Sequence, residues 1–324
     1  MAVAKSSSQP FSLVTSILDE NALLELVATN YPHLGVKQSR LWLVGTTDTY
    51  VISTKAELYI LRIYPTESRT KEDIAYELEV LLYLEQKGVA VSVPIQREDG
   101  HYWSSLNAPE GLRPYALFSY APGREAYRET DYSERFGKSL AHLHSASDNF
   151  NALYERFAID RFILLERPMQ RLEPLLKDKL AYWDQFAIHA ERLSQALESQ
   201  RQDLTWGFCH GDSLGSNAHL MGETLTHFDF NDCGPGWRAY DLASYQWIKR
   251  WQAPKIWEDD WQQFLRGYQK VRPILSHDLK AVSLFVGLRE FWTIGQQLYT
   301  ARRQGHCRLT DDYFAKRLAF LATL

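Results

Sequence analysis

From Asn217 to Asp229 the chain has little freedom. Ala218–Met221 and Thr224–Phe228 read as two short strands joined by Gly222-Glu223, a two-residue connection of the kind that closes a β-hairpin. Asn217 and Asp229 flank this hairpin almost symmetrically about its turn, so antiparallel pairing brings an amide oxygen and a carboxylate side by side at its open end. Asp212 lies on the loop that enters the first strand, close enough in sequence to face the same point. Oxygen ligands gathered without His or Cys suit Mg²⁺, which keeps several waters and is usually completed by substrate phosphates rather than by a protein cage. Nucleotide-dependent phosphoryl transfer is the chemistry such a set serves. Asp and Asn also favour turns and cap backbone groups, so either residue alone is an ordinary hairpin terminus. The joint spacing carries the reading.

His210-Gly211-Asp212, then Asn217, then Asp229-Phe230 and Tyr240-Asp241-Leu242-Ala243 resemble the aminoglycoside phosphotransferase family, whose pattern is H-G-D-x-x-x-x-N, a hydrophobic residue before Asp, then Y-D-L-A. The resemblance runs from Leu41 to Arg303. It implies an α+β, bilobal, protein-kinase-like fold with an N-terminal antiparallel sheet lobe and a mainly helical C-terminal lobe. Residues 1–118 would form the nucleotide-binding lobe, 119–124 the hinge and 125–324 the catalytic and substrate lobe. By the resemblance Asp212 orients the substrate hydroxyl and accepts its proton, while Asn217 and Asp229 hold Mg²⁺. Phosphoryl transfer has a loose transition state, so a positioned carboxylate and a charge-neutralising metal suffice.

Protein kinases carry Arg where this chain has Gly211, commonly to read an activation-segment phosphate. Only Phe230 through Tyr240 separates Asp229 from Asp241, too little chain for such a segment, which implies an enzyme that is always switched on. Asp241 is expected to hold the loop through backbone hydrogen bonds, and His210 to pack within it. Ser213 and Leu214 depart from the family's frequent Leu and His, and Asn231 stands where a second Asp often follows the metal-binding one.

A nucleotide lobe is legible upstream. Leu58–Tyr64 is a strand of aliphatic and aromatic residues interrupted by Arg62. A helix begins near Thr70, with Glu72 and Asp73 complementing its dipole, and Ile74, Leu78, Leu81 and Leu82 keep helical spacing until Gly88. The resemblance assigns Arg62 to the nucleotide phosphates and Glu77 to orienting it. Lys is the more familiar residue at that strand position, and an ordinary strand-helix ion pair is the alternative. Leu43–Val51 reads as a hairpin with Gly45 and Thr46 at its turn, and the family uses such a polar turn over phosphates. Pro114–Tyr120 ends in Ala121-Pro122-Gly123 and reads as the hinge, with the backbone of Ser119 and Tyr120 meeting the adenine edge. An amphipathic helix is expected over Ser133–His144, His144 being a packed core residue.

A net charge of -4 and a pI near 6.2 argue against a nucleic-acid partner. No segment is long and apolar enough for a membrane span. The first dozen residues read as a loose tail without the apolar run of a signal peptide. With three cysteines lacking metal-type spacing, this fits a reducing cytoplasm; Cys209 and Cys233 read as small buried side chains. From Tyr240 onward thirteen Lys and Arg face eight Asp and Glu, which favours an anionic substrate over a polycationic aminoglycoside. The aromatics of that region, Trp257 and Trp261 among them, read mostly as helical core. The expected activity is ATP- and Mg²⁺-dependent O-phosphorylation of a small hydroxylated metabolite, a hydroxy amino acid of the homoserine type or a specialised-pathway intermediate. Choline-type kinases fit less well, since their motif normally has Asn at the position of Gly211. Two other readings stay open: a stress-response-type Ser/Thr protein kinase, and a nucleotide-binding scaffold without catalysis.

Overall fold

The computed structural model describes residues 11–66, 68–127, 129 and 131–324; the expected N-terminal tail falls largely outside them. Along the chain the elements are α1 (Glu20–Asn30), β1 (Gln38–Val44), β2 (Asp48–Ser53), β3 (Leu58–Ile63), α2 (Lys71–Gln86), β4 (Trp103–Ala108), β5 (Gly111–Ser119), α3 (Tyr132–Ala146), α4 (Arg167–Leu176), α5 (Leu180–Gln200), β6 (Trp206–Cys209), β7 (Ala218–Met221), β8 (Thr224–His227), β9 (Gly234–Trp237), α6 (Arg238–Gln252), α7 (Trp257–Gln269), α8 (Ser276–Gln304) and α9 (Asp311–Leu321). Two compact units result. The first holds the described residues up to Arg69 with Ile95–Phe118 and Arg302–Gln304; the second holds Thr70–Pro94, Ser119–Ala301 and Gly305–Leu324.

In the first unit a sheet of order β1-β2-β3-β5-β4 carries its core on one face. Along β2 burial alternates, so Asp48, Tyr50 and Ile52 point inward. Tyr50 and Ile52 join Leu61, Ile63, Tyr115 and Leu117 under Leu23 and Val27 of α1. One inward position is charged, and it is paired. Asp48 binds Arg113 at 2.6 Å with both side chains buried, and Arg303 at 2.5 Å.

The second unit starts with α2. Thr70 and Asp73 cap it reciprocally, each side chain accepting the other's N–H at 3.0 Å. The expected boundary placed this helix with the nucleotide lobe, but its contacts group it with the second unit. Tyr76 and Tyr83 pack on Phe150 with ring centroids 5.6 and 5.1 Å apart, and Arg156 donates to Asp73 O at 3.0 Å. The remaining mass is helical. Phe136, Leu140 and Leu143 of α3 are fully buried, and α3 crosses α7 at backbone distance. A Cβ on Gly137 would lie 2.1 Å from Phe264 O, which reserves that position for glycine.

Candidate active site

The hairpin closes in the expected register, Ala218 opposite His227 and Met221 opposite Thr224. One step beyond, Phe228 N–H donates to Asn217 O at 3.0 Å. Asn217 and Asp229 therefore bracket the open end, with Asp229 one residue past the last backbone pair.

Buried groups fix the loop ahead of β7. The His210 and Gly211 N–H groups donate to Asp241 Oδ2 and Oδ1 at 2.6 and 2.9 Å, and the His144 ring reaches the same Oδ2 at 3.0 Å. Burial alone would raise the Asp241 carboxyl, but the hydrogen bonds from His144 and from the His210 backbone N–H outweigh it and hold the pKa below its ordinary value. His144 is pushed down to about 4 by burial, with the Arg238 charge adding to the shift. It is neutral at pH 7, donating from Nε2 to Asp241 and accepting at Nδ1 from the Tyr268 hydroxyl at 2.7 Å. The His210 ring is also engaged within the loop: Nε2 meets Phe228 O at 3.1 Å and Nδ1 accepts from Asp212 N–H at 3.3 Å. At Gly211, φ is +80° and a Cβ would sit 2.0 Å from Asp232 O. An arginine there has no room.

A pH dependence of stability follows from His144. The unfolded chain binds a proton there as pH falls through 6.5, whereas the folded chain does so near 4. The stabilisation is therefore present above 6.5 and is lost progressively down to 4. His227, pushed to about 3 by burial, acts in the same sense. The unfolding free energy should drop by about 4 kcal/mol between pH 7 and pH 5, with each of the two rings supplying about half. Urea titrations at the two pH values measure this, and equal stability would contradict a buried neutral His144.

Asp212 is held at both carboxylate oxygens. Asn217 Nδ2 donates to Oδ2 at 2.9 Å and to the Asp212 carbonyl at 2.9 Å. Arg289 Nη2 donates to Oδ1, while its Nη1 reaches Gly211 O at 3.1 Å and the Tyr240 hydroxyl at 3.2 Å. Arg289 is buried on α8, its guanidinium 4.2 Å from the Trp292 ring centroid and 5.1 Å from that of Trp247. Burial opposes its charge, but Tyr240 and Asp212 more than offset this and raise its pKa.

Because Asn217 donates with its nitrogen to Asp212, its Oδ1 is directed away from that carboxylate, as a cation ligand requires. Asp229 has φ +65°, the only described non-glycine residue with positive φ, a conformation that persists where surroundings impose it and that clusters at functional sites. Among the described residues no group of three or more His, Cys, Asp or Glu could hold a metal. An Asn amide oxygen and an Asp carboxylate are donors of the type that suits a hard cation whose remaining positions are filled by water and phosphate.

The other expected site residues have mixed positions. Gly45 and Thr46 lie in the turn between β1 and β2, where Arg303 donates to Gly45 O at 2.8 Å. Arg62 is buried on β3 in the first unit, 5.1 Å from the Phe118 ring centroid; Glu77 is buried on α2 in the second. Ser119 does not offer a free N–H to a base, because it donates to Val93 O at 2.8 Å. Its carbonyl accepts from Ser92 Oγ at 2.6 Å. Tyr120 follows it, its ring 5.5 Å from that of His219.

The positive balance after Tyr240 is largely internal. Lys249 pairs with Asp260, Lys270 with Glu134, Arg272 with Asp148, Arg289 with Asp212, Arg303 with Asp48 and Arg317 with Glu290. Arg303 accordingly does not point at water. The charge count therefore does not select an anionic substrate.

Arg289 was not singled out from the sequence, and Tyr240 entered only as part of the Tyr240-Asp241-Leu242-Ala243 motif. A signal existed: Arg289-Glu290 interrupts the apolar run Ala281–Ile294, and a charged pair in the middle of a buried helix must find partners. Glu290 finds the indole N–H groups of Trp247 and Trp251 at 2.6 and 3.0 Å.

The model of the phosphotransferase enzyme family (APH) matches residues 43–274. A Deinococcus radiodurans protein of uncharacterised activity is 35% identical over 99% of this chain and 94% of its own. A homoserine kinase of Brucella ovis is 27% identical over 72% of this chain and 70% of its own. Among solved structures, an amicoumacin kinase complexed with AMP-PNP, Ca²⁺ and amicoumacin superposes with a TM-score of 0.77 at 20% identity, covering 94% of this chain and 92% of that one. That likeness bears on the fold, which is protein-kinase-like.

Proposed function

Since the chain belongs to the phosphotransferase enzyme family, we propose that it transfers the γ-phosphoryl group of ATP, with Mg²⁺, to a hydroxyl of a small hydroxy amino acid or a closely related metabolite. That it is a small-molecule kinase follows from the family together with the homoserine kinase relative. The finer reading rests above all on the doubly held carboxylate of Asp212 beside the Asn217 amide.

In this reading Asp212 accepts a hydrogen bond from the substrate hydroxyl and takes its proton as the oxygen attacks phosphorus. Each carboxylate oxygen receives one donor and retains a lone pair, so the group is oriented without being blocked. Asn217 Oδ1 and Asp229 hold the cation, which neutralises charge on the phosphate oxygens when bound. Arg289 positions Asp212 from behind. In the first unit Gly45 and Thr46 contact phosphates from their turn and Arg62 pairs with them. Tyr120, rather than Ser119, presents its backbone to the base. The short Phe230–Tyr240 connection supports an enzyme that needs no activating phosphorylation.

ADP release with Mg²⁺-ATP across hydroxy amino acids, amino alcohols, amino sugars and sugars tests the assignment. A hydroxy amino acid should accelerate release at least about tenfold over the acceptor-free rate, a modest fraction of what oriented binding supplies. Stimulation by none of the panel, or phosphate appearing on protein Ser or Thr instead, would contradict it.

A further inference from the structure

The second unit contains a cavity of about 370 Å³ with no part in this phosphoryl-transfer reading, lined by residues that include Arg238, Leu242, Tyr268, Arg272, Ile274 and Asp278. Its size is that of a small-molecule site. Arg238 and Leu242 are one helical turn apart on α6 and share a face. Tyr240, between them, carries the hydroxyl that meets Arg289 beside Asp212. The cavity therefore lies across α6 from that carboxylate.

The hydrogen-bonding capacity around the cavity is unbalanced in one direction. Asp278 is satisfied by Thr205, accepting its N–H at 2.9 Å and its hydroxyl at 2.5 Å. Asp148 accepts from Arg238 Nη2 at 3.0 Å with one oxygen and from Arg272 with the other. The carboxylates are thus engaged. Arg238 is only 3% exposed, and its Nε and Nη1 have no hydrogen-bond partner. Buried guanidinium donors left unmet are costly, and a native structure ordinarily supplies an acceptor. Ser145, Tyr268 and Arg272 add polar groups to the lining, and Leu242 and Ile274 with neighbouring aliphatics form its apolar part.

We propose that this cavity binds a small organic anion, an acidic head against Arg238 with Arg272 at its edge and a short apolar body against Leu242 and Ile274, and that its occupancy acts on the phosphoryl-transfer loop. The link is a continuous hydrogen-bonded chain. Tyr268 lines the cavity and donates to His144; His144 donates to Asp241; Asp241 holds the N–H groups of His210 and Gly211, next to Asp212. A ligand that engages Arg238 also competes with Asp148, whose neighbour Ser147 caps the His144 carbonyl at 3.0 Å. The binding half is independent of the proposed function; the effect on turnover rests on it.

Calorimetry on the full chain at constant ionic strength supplies the test, with hexanoate and hexyl phosphate as anionic probes and hexanol and hexylammonium as controls. The probes are taken to roughly 20 mM, where a good fit for so small a molecule gives saturation. Both anions, or either, should bind while the controls do not, and the stronger of the two identifies the acidic group. Arg238→Gln should weaken binding at least about tenfold, the loss of one charge-assisted hydrogen bond. Should that variant not fold, Ile274→Trp fills the cavity and should abolish binding. The bound anion should alter kcat without raising the KM for ATP. No anion binding, equal binding of hexanol, or unchanged affinity in both variants would overturn the site. Binding without any change in kcat would overturn the link to the loop, and neither result would touch the role of Asp212.

Discussion

Asp212→Asn loses at least about a hundredfold in kcat, the usual scale for removing general-base assistance, with a much smaller change in the KM for ATP. The contacts sharpen the expectation. Arg289 donates to one carboxylate oxygen and Asn217 Nδ2 to the other, so an amide nitrogen in either place sets a donor against a donor. If Asn217 turned over to relieve the conflict, its Oδ1 would leave the position from which it can face a cation. The substitution removes the proton acceptor and disturbs its neighbours together, and it offers no rotamer that avoids both. Initial rates of ADP release with the active acceptor, at saturating and limiting ATP, separate kcat from KM. A variant with wild-type kcat would remove Asp212 from the chemistry.

Arg289→Met has the second-largest effect, on stability and rate together. The pair is 3% exposed at Arg289 and 19% at Asp212, so truncation leaves a carboxylate in a mostly dry site without its cation. Breaking such a pair costs about 3 kcal/mol, the lower end of what is found for fully buried pairs, because Asp212 keeps some solvent. Methionine fills part of the space between Trp247 and Trp292, which limits any cavity contribution. Gly211 O and the Tyr240 hydroxyl lose their donors at the same time. With one of two orienting contacts gone, kcat should fall at least about tenfold while the KM for ATP holds, as expected when a positioned base is loosened. Arg289→Lys, which keeps the charge but not the forked pair of nitrogens, should recover part of kcat. Equal losses in Met and Lys variants, confined to stability, would reduce Arg289 to a packing role.

The hairpin and its flanking loop were legible because short-range rules fix them. A two-residue turn sets the register of β7 and β8, and register alone brings Asn217 and Asp229 to one end. The role of Asp241 as an anchor for loop N–H groups was also readable, but through the Tyr240-Asp241-Leu242-Ala243 motif of the family resemblance, since it lies 31 positions after His210. The grouping of α2 was not legible. Its sequence announces a helix and its cap, but whether Tyr76 and Tyr83 meet Phe150 depends on a chain segment some seventy residues away. Arg289 escaped for the same reason: its partner lies 77 positions upstream, and no local pattern joins them. The charge count after Tyr240 misled because it treats every cation as available. Pairing with acids outside that stretch, such as Glu134, Asp148 and Asp48, cancels most of the excess.

The central claim is that Asp212, Asn217 and Asp229 serve one magnesium-nucleotide site facing an alcohol. Calorimetric titration of a non-hydrolysable ATP analogue into the wild type and Asp229→Asn, each with and without Mg²⁺, addresses it most directly. Wild-type affinity should rise at least about tenfold when Mg²⁺ is added, one carboxylate-metal contact being worth more than 1.4 kcal/mol, and Asp229→Asn should lose that increment while keeping its metal-free affinity. Equal Mg²⁺ dependence in the two proteins, or none in the wild type, would contradict the account.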